Sequence, residues 1–269
     1  FKPFVYMSAL ENGLQPNTLI LDAPFVLDQG KALGKWKPEN YGKKFYGPST
    51  LRKGIENSRN LMTIRIAQYL GMERITELAE RTDIMPNMPS VLSMALGAGE
   101  TSLIKLTSAY ASLANGGKKV EPSLIDRIQD RRGKNIFILD QAICENCSQP
   151  YIEENPKPKI INNTEIIFDE VNAYQMVSIL KGAVDRGTGR KTKIEGIEIA
   201  GKTGTTNNNT DAWFLGFTSD IIVGVYTGFD IPESLGKRET GSSVAVPIFK
   251  NFISNYYESK KALPFIIPS

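Results

Sequence analysis

Apolar residues recur at helical spacing over much of the first 117 positions of the chain. A buried helix is predicted over residues 3–10, and a longer helical pattern covers residues 51–71, with a break at Ser58-Arg59-Asn60. Shorter helical patterns follow at residues 73–81 and 102–114, and glycines end the second of them. Between the first two helices, residues 22–50 contain many glycines, prolines and aromatic residues, which predicts a long loop.

The pattern changes over residues 118–165. Two short apolar runs flank Arg131-Arg132-Gly133-Lys134, which predicts a hairpin, and several prolines then indicate a surface loop. Cys144 and Cys147 cannot complete a tetrahedral zinc site by themselves. They would form a local disulfide in an oxidising compartment and a polar loop in a reducing one, and we favour the disulfide. We assign no function to this stretch.

The last part of the chain, residues 166–269, combines helical and strand patterns. A strong helical pattern begins at Asn172, three strands are predicted over residues 194–205, 212–217 and 221–229, and a last helix follows Pro247. Helices followed by an antiparallel sheet and a closing helix indicate an α/β (α+β) fold, with the sheet flanked by helices, rather than a βαβ array. We predict one domain over residues 1–269. It comprises a mostly helical part (1–117), a hairpin and loop insertion (118–165), and a helix, antiparallel sheet and closing helix (166–269).

Composition narrows the chemistry that the chain can perform. The sequence has 32 basic and 29 acidic residues, and the basic ones are dispersed, so we expect no nucleic-acid partner. It contains no histidine, which excludes Ser-His-Asp and Cys-His catalysis and every histidine metal site. The base of any hydrolase or acyltransferase here must therefore be Lys, Glu, Asp or Tyr. We expect neither a cofactor nor a metal ion.

No apolar run is long enough for a membrane span, and no signal peptide opens the chain. Because the sequence starts at Phe1 without a methionine, we expect it to be part of a longer protein.

Lys202-Thr203-Gly204-Thr205 is the first candidate motif. A lysine and hydroxyl side chains on a predicted strand form a cationic edge on which a substrate carboxylate could lie. K-T-G is one of three motifs of penicillin-binding proteins and class A β-lactamases, and Ser58-Arg59-Asn60 has the S-x-N form of the second. In such a site Ser58 relays a proton and Asn60 binds a substrate amide. The alternative for Ser58 is an ordinary N-cap of the following helix.

The third motif, S-x-x-K, places a lysine one helical turn after a nucleophilic serine. A lysine that is partly desolvated and near other cations loses its proton more easily and can act as the base. One complete copy, Ser102-Leu103-Ile104-Lys105, stands at a predicted helix start, and another, Ser234-Leu235-Gly236-Lys237, lies in a glycine-containing loop.

Several stretches together resemble the transpeptidase domain of bacterial class A penicillin-binding proteins. The resemblance runs nearly end to end and is weakest over residues 118–165. The matching stretches are Phe1-Lys2-Pro3-Phe4, residues 46–60, residues 95–117, Arg186-Gly187-Thr188-Gly189, residues 201–206 with 211–214, and residues 245–249.

In that family the S-x-x-K lysine is followed by proline, as in Lys2-Pro3, and it lies upstream of the S-x-N motif. The resemblance therefore implies that Lys2 is the general base and that the nucleophilic serine lies two residues before Phe1, outside the sequence. Because Ser102 follows Ser58, we reject it as the nucleophile.

The resemblance also implies roles for the other two motifs. Ser58 transfers a proton to the leaving group, and Asn60 binds the substrate amide. Lys202 keeps the site positive. In the strand, Thr203 and Thr205 bind the terminal carboxylate, the N–H of Thr205 contributes to the oxyanion hole, and Gly204 permits close approach of the substrate.

The implied fold is the penicillin-binding/β-lactamase-like transpeptidase fold. The implied activity is D,D-transpeptidation of peptidoglycan stem peptides ending in D-Ala-D-Ala, through a serine acyl-enzyme that β-lactams also form. The whole protein would carry an N-terminal membrane anchor and a peptidoglycan glycosyltransferase domain, with this domain on the periplasmic face of the bacterial inner membrane. The alternatives are a serine β-lactamase and a non-catalytic β-lactam sensor or binding module.

Overall fold

The computed structural model describes residues 1–139, 142–148, 150, 152, 156–161 and 164–268. The helices of this part of the chain are α1 (Lys2–Glu11), α2 (Gly30–Leu33), α3 (Leu51–Glu56), α4 (Asn60–Leu70), α5 (Met72–Arg81), α6 (Leu103–Ala114), α7 (Glu170–Asp185) and α8 (Val246–Tyr256). The strands are β1 (Leu19–Asp22), β2 (Leu27–Asp28), β3 (Lys35–Trp36), β4 (Gly47–Thr50), β5 (Arg127–Gln129), β6 (Asn135–Ile138), β7 (Ile143–Glu145), β8 (Lys159–Ile161), β9 (Ala200–Thr205), β10 (Asp211–Phe217) and β11 (Ile222–Gly228).

Helix α1 lies in the centre of the molecule. Every residue from Pro3 to Leu10 is buried, as expected for a helix that is apolar on all sides. Its Phe4 ring contacts Tyr110 of α6 edge to face, with the ring centroids 5.4 Å apart. The same apolar cluster includes residues of α4, α5 and α7 and one face of the sheet. The prediction of a buried helix over residues 3–10 is confirmed, and this helix carries Lys2 in its first turn.

The strands β9, β10 and β11 form an antiparallel sheet in the order β11-β10-β9. Neighbouring residues of β10 face opposite sides, so Leu215 and Phe217 join the α1 cluster whereas Phe214 packs with Phe249 and Ile253 of α8. Helices therefore cover both faces of the sheet. This arrangement confirms the predicted fold class, an antiparallel sheet flanked by helices.

The first of the three predicted strands is shorter in the structure than in the prediction. It begins at Ala200 rather than at residue 194, because Ile194 and Ile197 pair across a tight turn in which Gly196 has φ +78°. Ile194 and Ile197 pack against the α8 cluster, and Ile199 is buried within it. An alternating apolar pattern was thus produced by a turn that faces α8, not by an extended strand.

The predicted hairpin in residues 118–165 is present as β5 paired with β6, and a second pair, β7 with β8, follows it. Cys144 and Cys147 are bonded to each other. All residues of β5 and β6 are exposed. Among the described residues, no helix has both the length and the apolar character that a membrane crossing requires.

Candidate active site

The amine of Lys2 joins α1 to the connection between α3 and α4. Its Nζ donates to the carbonyl oxygen of Ser58 at 3.0 Å, to Ser58 Oγ at 3.1 Å and to Asn60 Oδ1. The structure thus brings together three residues that the sequence placed in two separate motifs. We call this group of Lys2, Ser58 and Asn60 the turn wall.

Ser58 has an unusual backbone conformation that aims its hydroxyl at Lys2. Its φ of 55° lies in the left-handed region, which residues other than glycine rarely adopt. Two backbone hydrogen bonds hold the turn, from Ser58 N to Ile55 O at 3.1 Å and from Arg59 N to Gly54 O at 2.8 Å. The N-cap of α4 is Arg59, so the alternative interpretation of Ser58 as a helix cap is wrong.

The two lysines of the site have lowered pKa values. Burial, reinforced by the positive charge of Lys202, lowers the pKa of Lys2 to about 7. Burial lowers the pKa of Lys202 to about 8, and its Nζ donates to the carbonyl oxygen of Thr203 at 2.9 Å. With a pKa of about 7, the neutral form of Lys2 is populated near pH 7. The neutral amine has two hydrogens, so it gives up one of the three donated bonds, and its lone pair accepts a proton from a nucleophile.

Strand β9 forms the opposite side of the site, and we call its Lys202–Thr205 segment the strand wall. In the described residues β9 pairs only with β10, so its other edge is unpaired. Thr206 N donates to Asp211 O of β10 at 3.1 Å. Because antiparallel pairing alternates, the N–H groups of Thr203 and Thr205 point away from β10, along the unpaired edge. They can donate to an extended ligand there.

Glycines bring backbones into close contact behind the strand wall. A Cβ on Gly241 would lie 2.4 Å from Trp213 O and 2.6 Å from Gly204 O. Gly241 N also donates to Thr205 Oγ1 at 3.1 Å, so the hydroxyl of Thr205 accepts this bond and keeps its own hydrogen for a ligand. A Cβ on Gly204 would lie 3.1 Å from Cβ of Trp213, its cross-strand partner. The small residue at Gly204 therefore accommodates Trp213 on the sheet face.

The segment that follows α7, residues 186–188, connects the two walls. Thr203 Oγ1 donates to Thr188 Oγ1 at 2.9 Å, and Thr188 N donates to Glu56 O, two residues before Ser58, at 3.0 Å. Glu56 is only 3% exposed, and its carboxylate pairs with Arg186, whose Nε lies 3.0 Å from Oε2.

Glu56 and Thr188 have no role in the prediction from the sequence. The available signal was the match of Arg186-Gly187-Thr188-Gly189 to the family, without which this stretch indicates only a helix end. Gly187 allows the close approach, because a Cβ there would lie 2.2 Å from Glu56 O.

The rejected S-x-x-K copies have other structural roles. Ser102 is the N-cap of α6, and its hydroxyl accepts from Lys105 N at 3.3 Å. The Lys105 amine pairs with Asp83 at 3.1 Å on the surface. In the other copy, Ser234 Oγ accepts from Gly236 N at 3.2 Å. These contacts explain both serines without catalysis.

Comparison with known proteins gives concordant matches. Residues 1–254 match the family model described as the penicillin binding protein transpeptidase domain. Penicillin-binding protein 1A of Rickettsia conorii is 47% identical to this chain, and the match covers 99% of the chain. The matched region makes up 34% of the length of the Rickettsia protein.

Solved structures give the same picture. The crystal structure of penicillin-binding protein 1A from Haemophilus influenzae superposes with a TM-score of 0.85 at 31% identity, and the match covers 99% of this chain and 43% of that one. The PonA1 protein from Mycobacterium tuberculosis, solved in complex with penicillin V, superposes with a TM-score of 0.80 at 20% identity, covering 100% of this chain and 70% of that one. At that identity the second likeness shows the fold alone.

Proposed function

Because this chain belongs to the family of penicillin-binding protein transpeptidase domains, we propose that it catalyses D,D-transpeptidation of peptidoglycan stem peptides and that β-lactams acylate the same site. The carrying observation is the convergence of Lys2, Ser58 and Asn60, with Lys202 of β9 close enough to lower the pKa of Lys2 and with the outer edge of β9 unpaired among the described residues.

In the first half-reaction the nucleophile is the serine that S-x-x-K spacing places two residues before Phe1. Its hydroxyl oxygen attacks the carbonyl of the penultimate D-Ala while neutral Lys2 takes the hydroxyl proton. The N–H of Thr205 stabilises the oxyanion, a contribution of about 3–4 kcal/mol for one such donor. The C–N bond then breaks, and the proton passes through Ser58 to the departing D-Ala amine. An ester between the serine and the donor peptide remains.

In the second half-reaction an amine of a neighbouring stem peptide attacks this ester. The amine loses its proton to the same Lys2 and Ser58 pair, and the serine leaves with a proton as the new amide bond forms. During both steps the terminal carboxylate or β-lactam carboxylate lies against Lys202, Thr203 and Thr205. Asn60 binds the amide of the donor.

The surroundings of the turn wall favour a transpeptidase over a serine β-lactamase. A class A β-lactamase uses a glutamate that activates water to release the acyl group quickly. Asp22 and Glu56, two buried carboxylates close to the turn, are already paired with Arg59 and Arg186. We therefore expect a long-lived acyl-enzyme.

Acylation by a fluorescent penicillin tests this function. The full-length protein should be labelled at the serine two residues before Phe1, whereas residues 1–269 alone should not be labelled. Intact mass and peptide mapping identify the modified residue. Labelling at Ser102, or loss of the acyl group within seconds, would overturn the proposal.

The chain spans about a third of the length of its curated relatives. We propose that the whole protein also carries a peptidoglycan glycosyltransferase domain and an N-terminal anchor in the bacterial inner membrane, with this domain on the periplasmic side. The sequence of the complete gene and polymerisation of a lipid-linked disaccharide precursor by the purified protein test this.

A further inference from the structure

Asn40 is a buried polar residue in the loop between β3 and β4, and it caps a helix that has no cap of its own. It is 5% exposed, and its Oδ1 accepts from Asn60 N at 2.9 Å and from Leu61 N at 3.3 Å. Arg59 is the N-cap residue of α4, and its own side chain makes no capping hydrogen bond. Asn40 therefore supplies the acceptor that the first turn of α4 requires.

The residue before Asn40 fixes the side chain of Asn60. The carbonyl oxygen of Glu39 accepts from Asn60 Nδ2 at 2.7 Å, while Asn60 Oδ1 accepts from Lys2. A primary amide carries two hydrogens on its nitrogen, so the second one remains to donate to a ligand. Residues 39 and 40 thus hold both the backbone and the amide group of Asn60.

The loop position is itself fixed by a buried carboxylate. Asn40 Nδ2 donates to Asp22 Oδ1 at 2.7 Å and to Lys44 O at 2.9 Å. Asp22 is fully buried and pairs with Arg59 at 2.8 Å. The Arg59 guanidinium lies over the Tyr46 ring, 3.2 Å from its centroid. Because Asn40 is bonded both to Asp22 and to the backbone N–H of Asn60, a shift of the loop would displace the Asn60 amide.

We propose that Asn40 is a positioning residue that sets the site's selectivity for ligands with an acyl-amide carbonyl, by holding the Asn60 amide so that its second N–H donates to that carbonyl. This inference rests on the proposed function. A structural role alone would slow all acylation equally, whereas a positioning role affects ligands that use Asn60 more than ligands that lack the carbonyl.

The test compares two β-lactams on the full-length protein. Benzylpenicillin carries the acyl-amide carbonyl, and 6-aminopenicillanic acid has a free amine in its place. In Asn40→Ala the second-order acylation rate constant should fall about fivefold more for benzylpenicillin than for 6-aminopenicillanic acid, which corresponds to one hydrogen bond of about 1 kcal/mol. Asn40→Ser, which retains a shorter acceptor, should give an intermediate ratio and provides a milder variant if Asn40→Ala does not fold.

The matched control is Asp169→Ala, which removes the side-chain N-cap of α7, whose Oδ2 accepts from Asn172 N at 3.0 Å. It should lower the melting temperature and leave the ratio of the two rate constants unchanged. Combining Asn40→Ala with Asn60→Ala should lower this ratio no further than Asn60→Ala alone.

Equal loss for both ligands in the Asn40 variants, or additive losses in the double variant, would overturn the inference. An unmodified upstream serine in the wild-type protein would instead refute the proposed function. The two failures are therefore distinguishable.

Discussion

The turn wall and the strand wall are held by different kinds of interaction. Side-chain hydrogen bonds fix the turn wall, and their donors and acceptors come from α1, the loop at Asn40 and the α3–α4 connection. The strand wall is fixed by the ladder between β9 and β10 and by the close approach of Gly241 to Gly204 and Trp213. The turn wall therefore depends mainly on particular polar atoms, whereas the strand wall depends mainly on backbones that lie close together where glycine has no side chain.

This difference predicts opposite sensitivities. Removing a polar group should harm the turn wall, because each buried hydrogen-bonding group there has a specific partner. Adding a methyl group should harm the strand wall, because closely packed backbones cannot move apart cheaply.

The largest effect is expected from Lys2→Met in the full-length protein. A positioned general base contributes about 10²–10⁴-fold to rate, so acylation by benzylpenicillin should fall by that amount. Stopped-flow or gel-based labelling measures it. Lys105→Met, in the surface S-x-x-K copy, is the matched control and should match the wild type. A normal rate in Lys2→Met would show that another group takes the serine proton.

Gly241→Ala should cause the next largest loss of acylation rate, because the added methyl group changes the shape of the site without changing its polar groups. Its Cβ would lie 2.4 Å from Trp213 O, so the strand wall must shift. Displacement of a catalytic element by about 1 Å can cost about 10²-fold in rate, and overpacking costs typically about 1–3 kcal/mol of stability. Acylation rates and thermal unfolding measure both. Gly42→Ala is the control, because nothing lies within 4 Å of a Cβ there; equal behaviour of the two variants would contradict the account.

The same difference explains what the sequence could predict. The strand wall and the break at Ser58-Arg59-Asn60 follow from local patterns, and the structure places both as expected, except that β9 starts at Ala200 because Ile194 and Ile197 form a turn. Asn40, Asp22, Glu56 and Thr188 could not be predicted. They are single polar residues without periodicity, and the carboxylate of Glu56, for example, pairs with Arg186, 130 positions further along the sequence.

A charge substitution tests whether the strand wall acts on the turn wall. Acylation requires neutral Lys2, so the wild-type rate should rise as pH increases through about 7. The Lys202 charge helps to lower the pKa of Lys2, so Lys202→Met should raise that pKa and move the rising limb to higher pH. The wild-type rate should fall again above about pH 8, where Lys202 loses its charge, and Lys202→Met should remove this fall. At the wild-type maximum between these two pH values the variant should be about 10–100-fold slower, because a hydrogen bond from a charged group to the ligand carboxylate is lost.

The pH profile of the acylation rate constant separates these two effects. Lys181→Met, which removes a lysine that pairs with Glu198 instead, is the control and should leave the limb in place. If the rising part of the pH profile does not shift in Lys202→Met, burial alone sets the pKa of Lys2.

The smallest loss of acylation rate is expected from a substitution at Thr188, which links the two walls. Its hydroxyl accepts from Thr203 Oγ1 at 2.9 Å, and its N–H is bound to Glu56 O. When Thr203 turns its hydrogen to a ligand carboxylate, the Thr188 hydroxyl donates to Thr203 instead and so keeps Thr203 aligned with the turn that carries Ser58. Thr188→Val keeps the shape and the backbone bond but removes the hydroxyl. The loss of about 1 kcal/mol should lower acylation by carboxylate-bearing β-lactams about fivefold, with less effect on their esters. Thr188→Ser should restore the rate, whereas equal losses for acids and esters would show that Thr188 supports the fold and not the carboxylate site.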